Sequence, residues 1–180
     1  MAKFFQRLLN TERALESVDI RALPRPDFNL ERPAVAAVLD GRIPAPEHDQ
    51  ADAFKNALNA IYGRNLEWAS YFDAVPKGCV GMKLRIVEMG AFFTLGKWTG
   101  SVRIDLEVHD FQTLPLRCFT VPIVAERPLA NVLEQEAAAS AWEKAAAQLI
   151  GCIDKALLAV RDGADLEAAF QPRAATALTS

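Results

Sequence analysis

The side chains best suited to nucleophilic or acid–base chemistry here are two histidines, His48 and His109, and three cysteines, Cys79, Cys118 and Cys152. Two histidines cannot build a multi-histidine metal site. His48 stands in Pro46-Glu47-His48-Asp49, a cluster whose residue types suit a weak metal site or a base. No second ligand cluster accompanies it, so it reads as a solvated loop with helix-capping residues. His109 alternates with Arg103, Asp105 and Glu107, which puts it on the wet face of a strand. A Cys118–His109 pair would need an activating charge and access for substrate, and the flanking sequence encodes neither. The odd cysteine count and wide spacing argue against a disulfide framework. Each cysteine lies in an apolar context and reads as a small hydrophobe. Leu149-Ile150-Gly151-Cys152 spells a lipobox-like string, but it falls deep inside a C-terminal helical pattern and is read as chance. Gly78-Cys79-Val80-Gly81 and Gly96-Lys97-Trp98-Thr99-Gly100 lack the spacing and strand-to-helix setting of phosphate-binding loops. The second reads instead as a hairpin connection with an aromatic folded over the core. The acidic residues form no obvious catalytic pair, and Glu134 and Glu136 read as solvated. The expectation is a protein that is not an enzyme, with no metal and no cofactor.

These residues must be carried by an ordinary domain. The chain has 180 residues, 51% hydrophobic and 24% charged, which suits one domain with terminal extensions. Its net charge of −3 argues against a general nucleic-acid binder. No apolar run approaches the roughly 20 residues that a membrane-spanning helix needs. The N-terminal MAKFFQRLLNTERALESV is interrupted by Gln6, Arg7 and Asn10, so it does not read as a secretory signal. The expected location is the cytoplasm, or the envelope or periplasm if an export signal precedes this start.

Residues 2–17 fit a short amphipathic helix, with Phe4, Phe5, Leu8, Leu9 and Leu15 opposite Lys3, Gln6, Arg7 and Arg13. Its polar face is not strongly basic, so docking on its own domain is favoured over a membrane surface. Pro24, Pro26 and Pro33 predict an extended arm, in which residues 18–23 could pair as a strand. Residues 35–39 read as a strand ended by Asp40-Gly41. A helix is expected over 50–72, carrying Phe54, Leu58, Ile61, Tyr62, Trp68 and Phe72, with a break possible at Gly63. Two alternating runs follow, Val80-Met82-Leu84-Ile86 and Val102-Ile104-Leu106-Val108, joined through 92–100. Antiparallel pairing would set Lys83 and Arg85 opposite Glu107 and Asp105. Residues 116–124 supply another strand, whose end Pro122 assigns to an edge or a bulge. An alanine-rich helix is expected from 129 or 130 to 160, with Pro128 at its start and Gly163 as its stop. Its buried stripe runs Leu133, Ala137, Trp142, Ala145, Leu149, Ile153, Ala156 and Val160. A further helical turn near 166–170 and a frayed tail complete the chain. The fold class is α+β: a two-layer sandwich, mainly antiparallel, with two principal helices on one face. The domain spans 33–162, flanked by an arm (1–32) and a flexible tail (163–180).

This order of elements resembles small βαββα domains of the bacterial cell envelope. These are the penicillin-binding-protein activator lipoproteins, the amino-terminal domain of the Tol-system protein TolB, and ABC-type transport auxiliary lipoproteins. The resemblance rests on Phe54 to Leu58, Tyr71-Phe72-Asp73-Ala74-Val75, the strands 81–87 and 101–110, and the helix ending Ile153-Asp154-Lys155-Ala156-Leu157-Leu158. It implies a non-catalytic interaction domain in an envelope or transport complex, with a protein partner and homo-oligomers allowed. Phe4, Phe5, Leu8, Leu9 and Trp98 are the candidate contact residues, being apolar features outside the expected core. Two other readings compete. One is a small hydrolase or isomerase on an α+β cradle, with His48 or His109 as base. The other is a ring subunit of a phage-tail-like or secretion machine.

Overall fold

In a computed structural model, residues 28–41, 51–69, 79–111 and 117–171 are described. The strands are β1 (Ala34–Asp40), β2 (Leu66–Trp68), β3 (Val80–Thr94), β4 (Lys97–Asp110) and β5 (Arg117–Leu129). The helices are α1 (Ala51–Tyr62), α2 (Glu134–Arg161) and α3 (Leu166–Phe170). The five strands form one sheet in the order β2-β1-β3-β4-β5. β3, β4 and β5 are antiparallel neighbours, while β1 runs parallel to both β2 and β3. The fold is α+β, as the hydrophobic pattern implies. No helix among the described residues is long and apolar enough to cross a membrane.

Alternation decides which face is dry. Ala34, Ala36, Val80, Met82, Leu84, Ile86, Val102, Ile104, Leu106, Val108, Ile123 and Ala125 are all buried. Phe54, Leu58 and Tyr62 recur every four residues on α1 and are buried against them. The two helices also hold each other. The Phe54 and Trp142 rings lie 5.7 Å apart. The Tyr62 hydroxyl reaches the Asp154 carboxylate at 2.9 Å and the Ile150 carbonyl at 3.2 Å. Phe28 packs on Tyr62, with ring centroids 6.1 Å apart. On the wet face, Lys83 pairs with Glu107 and Arg85 with Asp105 in register. The Lys83–Glu107 ion pair closes at 3.3 Å, and Asp105 takes Arg103 at 3.4 Å.

Several boundaries differ from the sequence expectation. The first helix stops at Tyr62, because Gly63 adopts φ +49°. A single 3-10 turn, Gly63–Asn65, then delivers Leu66 into extended backbone. Trp68 therefore lies on strand β2, and its indole N–H donates to Asn59 Oδ1 at 3.1 Å. Phe72, His48 and the arm residues before Phe28 lie outside the described residues. Pro128 belongs to β5, not to the start of a helix. The long helix begins later, at Glu134, and Leu133 is exposed rather than part of the buried stripe. Glu136 caps this start by accepting the Leu133 N–H at 3.0 Å. The other end closes at Gly163, with bonds from Ala164 N to Ala159 O (2.8 Å) and Gly163 N to Val160 O (3.3 Å), as in a Schellman motif. α3 follows where a helical turn was expected. Asp165 Oδ1 accepts its Glu167 and Ala168 amides, and Phe170 packs on Phe119 of β5.

The largest departure is the β3–β4 connection. Residues 92–100 form no loop. β3 and β4 pair without interruption to Thr94↔Lys97, leaving only Leu95 and Gly96 as the turn. The pairing slips by one residue between Ile86 and Glu88. This bulge brings Met89 round to the helix side, where it receives the Trp142 indole N–H.

α2 lies on β4 through small residues. Ala137, Ala141 and Ala145 are buried without remainder. A Cβ placed on Gly100 would stand 1.9 Å from the Ala137 carbonyl oxygen and 2.5 Å from its carbon. Gly100→Ala is therefore expected to destabilise by about 1–3 kcal/mol or more. Gly90→Ala, where nothing stands within 4 Å of the added methyl, should stay within about 0.5 kcal/mol. Urea denaturation of both variants measures the difference, and equal midpoints would refute the contact.

Candidate functional site

The most unusual surface lies where the β3–β4 hairpin outruns the rest of the fold. β1 ends opposite Ile86, β5 ends opposite Trp98, and α2 begins with Ala137 over Gly100. Among the described residues, β3 has no neighbour on its outer edge past Ile86, β5 accompanies β4 as far as Trp98, and residues 94–97 extend past every other strand. Large apolar side chains stand exposed at this end, beside Thr94 and Lys97. Phe92 is 47% exposed, Phe93 60% and Leu95 95%, with Leu133 at 68% beside the helix start. Phe93 falls on the helix side with Met89, and its ring lies 5.2 Å from that of Trp98. Phe92 falls on the opposite face, across from Thr99. From Met89 to Gly100 the only charged residue is Lys97.

The apex breaks two rules of stability at once. Leu95 and Gly96 both have positive φ, +52° and +76°. A two-residue turn of that kind favours Asn, Asp or Gly at its first position. Leucine there strains its backbone, and its side chain gains no burial in return. A strained backbone position without a packing reason motivates a functional reading of that position.

A second cluster lies on the wet sheet face. Cys118 stands directly opposite His109 on neighbouring strands, with Sγ 3.6 Å from Nε2. Glu107 Oε2 lies 3.5 Å from the same ring nitrogen and 3.3 Å from Lys83 Nζ. His109 also stacks on Phe111 at 5.9 Å. Cys118 is exposed, which corrects the expectation that all three cysteines sit in apolar surroundings. Its thiol is nevertheless pushed up in pKa, first by desolvation and then by the Glu107 carboxylate, with Lys83 acting the other way. A thiol held protonated is a poor nucleophile. Among the described residues, no group of three or more His, Cys, Asp or Glu side chains is placed to hold a metal ion.

A concavity of 420 Å³ opens at the far end of the domain, lined by Asn29, Arg32, Cys79, Val80, Val160 and Arg161 among others. Among the described residues, neither its lining nor the hairpin end includes a histidine. Of the residues singled out from sequence, Trp98 is half-buried on β4 rather than in a loop. Phe4, Phe5, Leu8 and Leu9 lie outside the described residues. Phe92, Phe93 and Leu95 were not singled out, and Leu133 was assigned to the buried stripe. The available signal for the first three is the uncharged run from Met89 to Gly96.

No protein-family model matches this chain, and no curated protein does. Among solved structures, the hypothetical protein CT253 from Chlamydia trachomatis is similar at 10% identity and a TM-score of 0.49, over 71% of this chain and 99% of that one. A candidate neuraminyllactose-binding hemagglutinin homolog from Helicobacter pylori is similar at 9% identity and a TM-score of 0.41, over 73% and 91%. Lipoprotein GNA1162 from Neisseria meningitidis is similar at 11% identity and a TM-score of 0.37, over 67% and 95%. No residue or role is carried over from them.

Two measurements separate the clusters. Leu95→Asn should raise stability by about 0.5–2 kcal/mol, since Asn accepts the left-handed turn conformation; a fall in the urea midpoint would show that Leu95 is structural. Iodoacetamide should alkylate Cys118 near neutral pH more slowly than a cysteine in an unstructured peptide. Its rate should keep climbing as pH rises past the usual thiol range, because a raised pKa leaves less thiolate at any lower pH. Faster alkylation at mildly acidic pH would reveal an activated Cys–His pair instead.

Proposed function

We propose that this chain is a non-catalytic accessory domain of a bacterial cell-envelope or transport assembly, attached through its hairpin end. The observation that carries the reading is the projecting ribbon with Phe92, Phe93 and Leu95 exposed around an apex that strains its own backbone. Contiguous exposed apolar surface of this kind marks an attachment site rather than a solvated one. The envelope setting is supported by the order of elements in the sequence. The non-catalytic character is supported by the chemistry of the Cys118–His109 cluster, in which the exposed thiol is held protonated. An envelope assembly offers both protein and lipid surfaces to an apolar ribbon.

The test is native separation of extracts from the source bacterium producing a tagged chain. The wild type should migrate with the envelope fraction or in a particle well above its 19.7 kDa. A Phe92→Ser, Phe93→Ser, Leu95→Asn triple variant should migrate free. A wild-type chain that is already free and monomeric in those extracts would sink the reading. Cys118→Ser and His109→Ala should leave the distribution unchanged.

A further inference from the structure

Resting on the reading that the hairpin end is the attachment point, we propose that it attaches to a lipid bilayer, with Phe92, Phe93 and Leu95 entering the headgroup–acyl boundary and Lys97 meeting lipid phosphate. The first reason is shape. Phe92 and Phe93 are neighbours on one strand, so they point to opposite faces of the ribbon, and Leu95 crowns it. A flat or grooved protein surface covers one face of a sheet. A medium that surrounds the tip covers both faces and the apex together.

The second reason is charge. From Met89 to Gly100 the single charged residue is Lys97, next to Trp98 in sequence. A cation beside an aromatic, just behind an apolar tip, matches the layering of a membrane interface. The third reason is depth. Two to three residues separate Phe92 from the apex, which at about 3.3 Å per residue reaches about 5–10 Å, the depth at which peripheral elements lodge. Thr94↔Lys97 and Phe93↔Trp98 satisfy the inner backbone groups of the ribbon. Its outer edges have no strand partner among the described residues beyond Ile86 on β3 and Trp98 on β4. Unpaired edge groups forbid deep insertion into hydrocarbon and leave shallow insertion, where headgroups and water complete the bonds.

The experiment is flotation of the full chain with phosphatidylcholine vesicles, and with vesicles that also contain phosphatidylglycerol. Binding to phosphatidylcholine alone is expected and should survive high salt, because apolar insertion drives it. Phosphatidylglycerol should strengthen binding, and Lys97→Ala should remove that increment alone. The Phe92→Ser, Phe93→Ser, Leu95→Asn variant should lose about 10-fold or more of its partition. Its thermal melt reports folding, and Leu95→Asn alone, at a position that favours Asn, should weaken binding while remaining folded. Brominated lipid should quench emission in the wild type but much less in Trp98→Phe, since Trp142 is buried and Trp68 stands on β2 at the opposite edge of the sheet. A wild type that floats with neither vesicle, or a triple variant that floats as well as the wild type, overturns the proposal. If the wild type ignores vesicles while the triple variant still leaves the envelope particle, attachment stands and its partner is a protein, so the lipid assignment fails by itself.

Discussion

The packing of α2 against Gly100 is the constraint on which the rest of the domain turns. A helix backbone approaches a strand this closely only where the strand lacks a side chain and the helix carries alanines. Ala137, Ala141 and Ala145 supply that low profile, and Gly100 supplies the seat. Once the helix is seated, its register decides what else reaches the core. Trp142 falls between Phe54 of α1 and Met89 of β3. Leu149 and Ile153 follow over the middle of the sheet. The same seat also decides where the helical layer ends, and so leaves the ribbon beyond Gly100 uncovered on its helix side. The exposed end is therefore a consequence of how the core packs.

The two faces of the sheet solve different problems. The dry face is almost wholly aliphatic and is sealed by two helices that grip one another through Tyr62. The wet face is laced with Lys83, Arg103, Asp105 and Glu107, whose pairings each contribute little in water but favour one strand register. His109 and Cys118 belong to that ladder by geometry. Their closeness follows from cross-strand pairing, which places any two opposing side chains about 5 Å apart at Cβ. Nearness alone therefore does not distinguish a catalytic pair from two neighbours on a sheet.

Much of the fold was legible because period-two and period-four patterns are strong where one face is buried. The Lys83–Glu107 and Arg85–Asp105 register could be read from charge alternation alone, while Pro122 pointed to an edge or a bulge, and the strand bearing it lies at the edge. The rest was hidden by features that pattern reading handles poorly. The bulge at Val87 shifts the alternation by one residue, so the strand appears to end there although it runs to Thr94. Adjacent Phe92 and Phe93 then look like a connection, since no single face explains both. β2 is three residues long and follows a helix of the same apolar spacing, so only the backbone at Gly63 separates them. The start of α2 at Glu134 is set by its tertiary seat, which Pro128 does not reveal. For the candidate site, Trp98 stood out as an apolar residue beyond the core. Its neighbours at the apex did not, because an uncharged turn reads as filler until its backbone conformation is known.

The placement of β1 bears on how the chain folds. β3, β4, β5 and α2 follow one another along the sequence and touch their successors, so their contacts close over short spans. β1 is earlier in the chain, yet it sits between β2 and β3 and runs parallel to both. Its partner residues lie more than thirty positions away on β2 and more than forty on β3, as in Ala34↔Leu66 and Val35↔Gly81. Closing such spans costs chain entropy before any contact offsets it. The expected order is a meander that forms first with α2, and a β1–α1–β2 unit that docks on its edge afterwards. Pulse-labelling hydrogen exchange would show amides of β4 protected before those of β1; simultaneous protection would mean one concerted step.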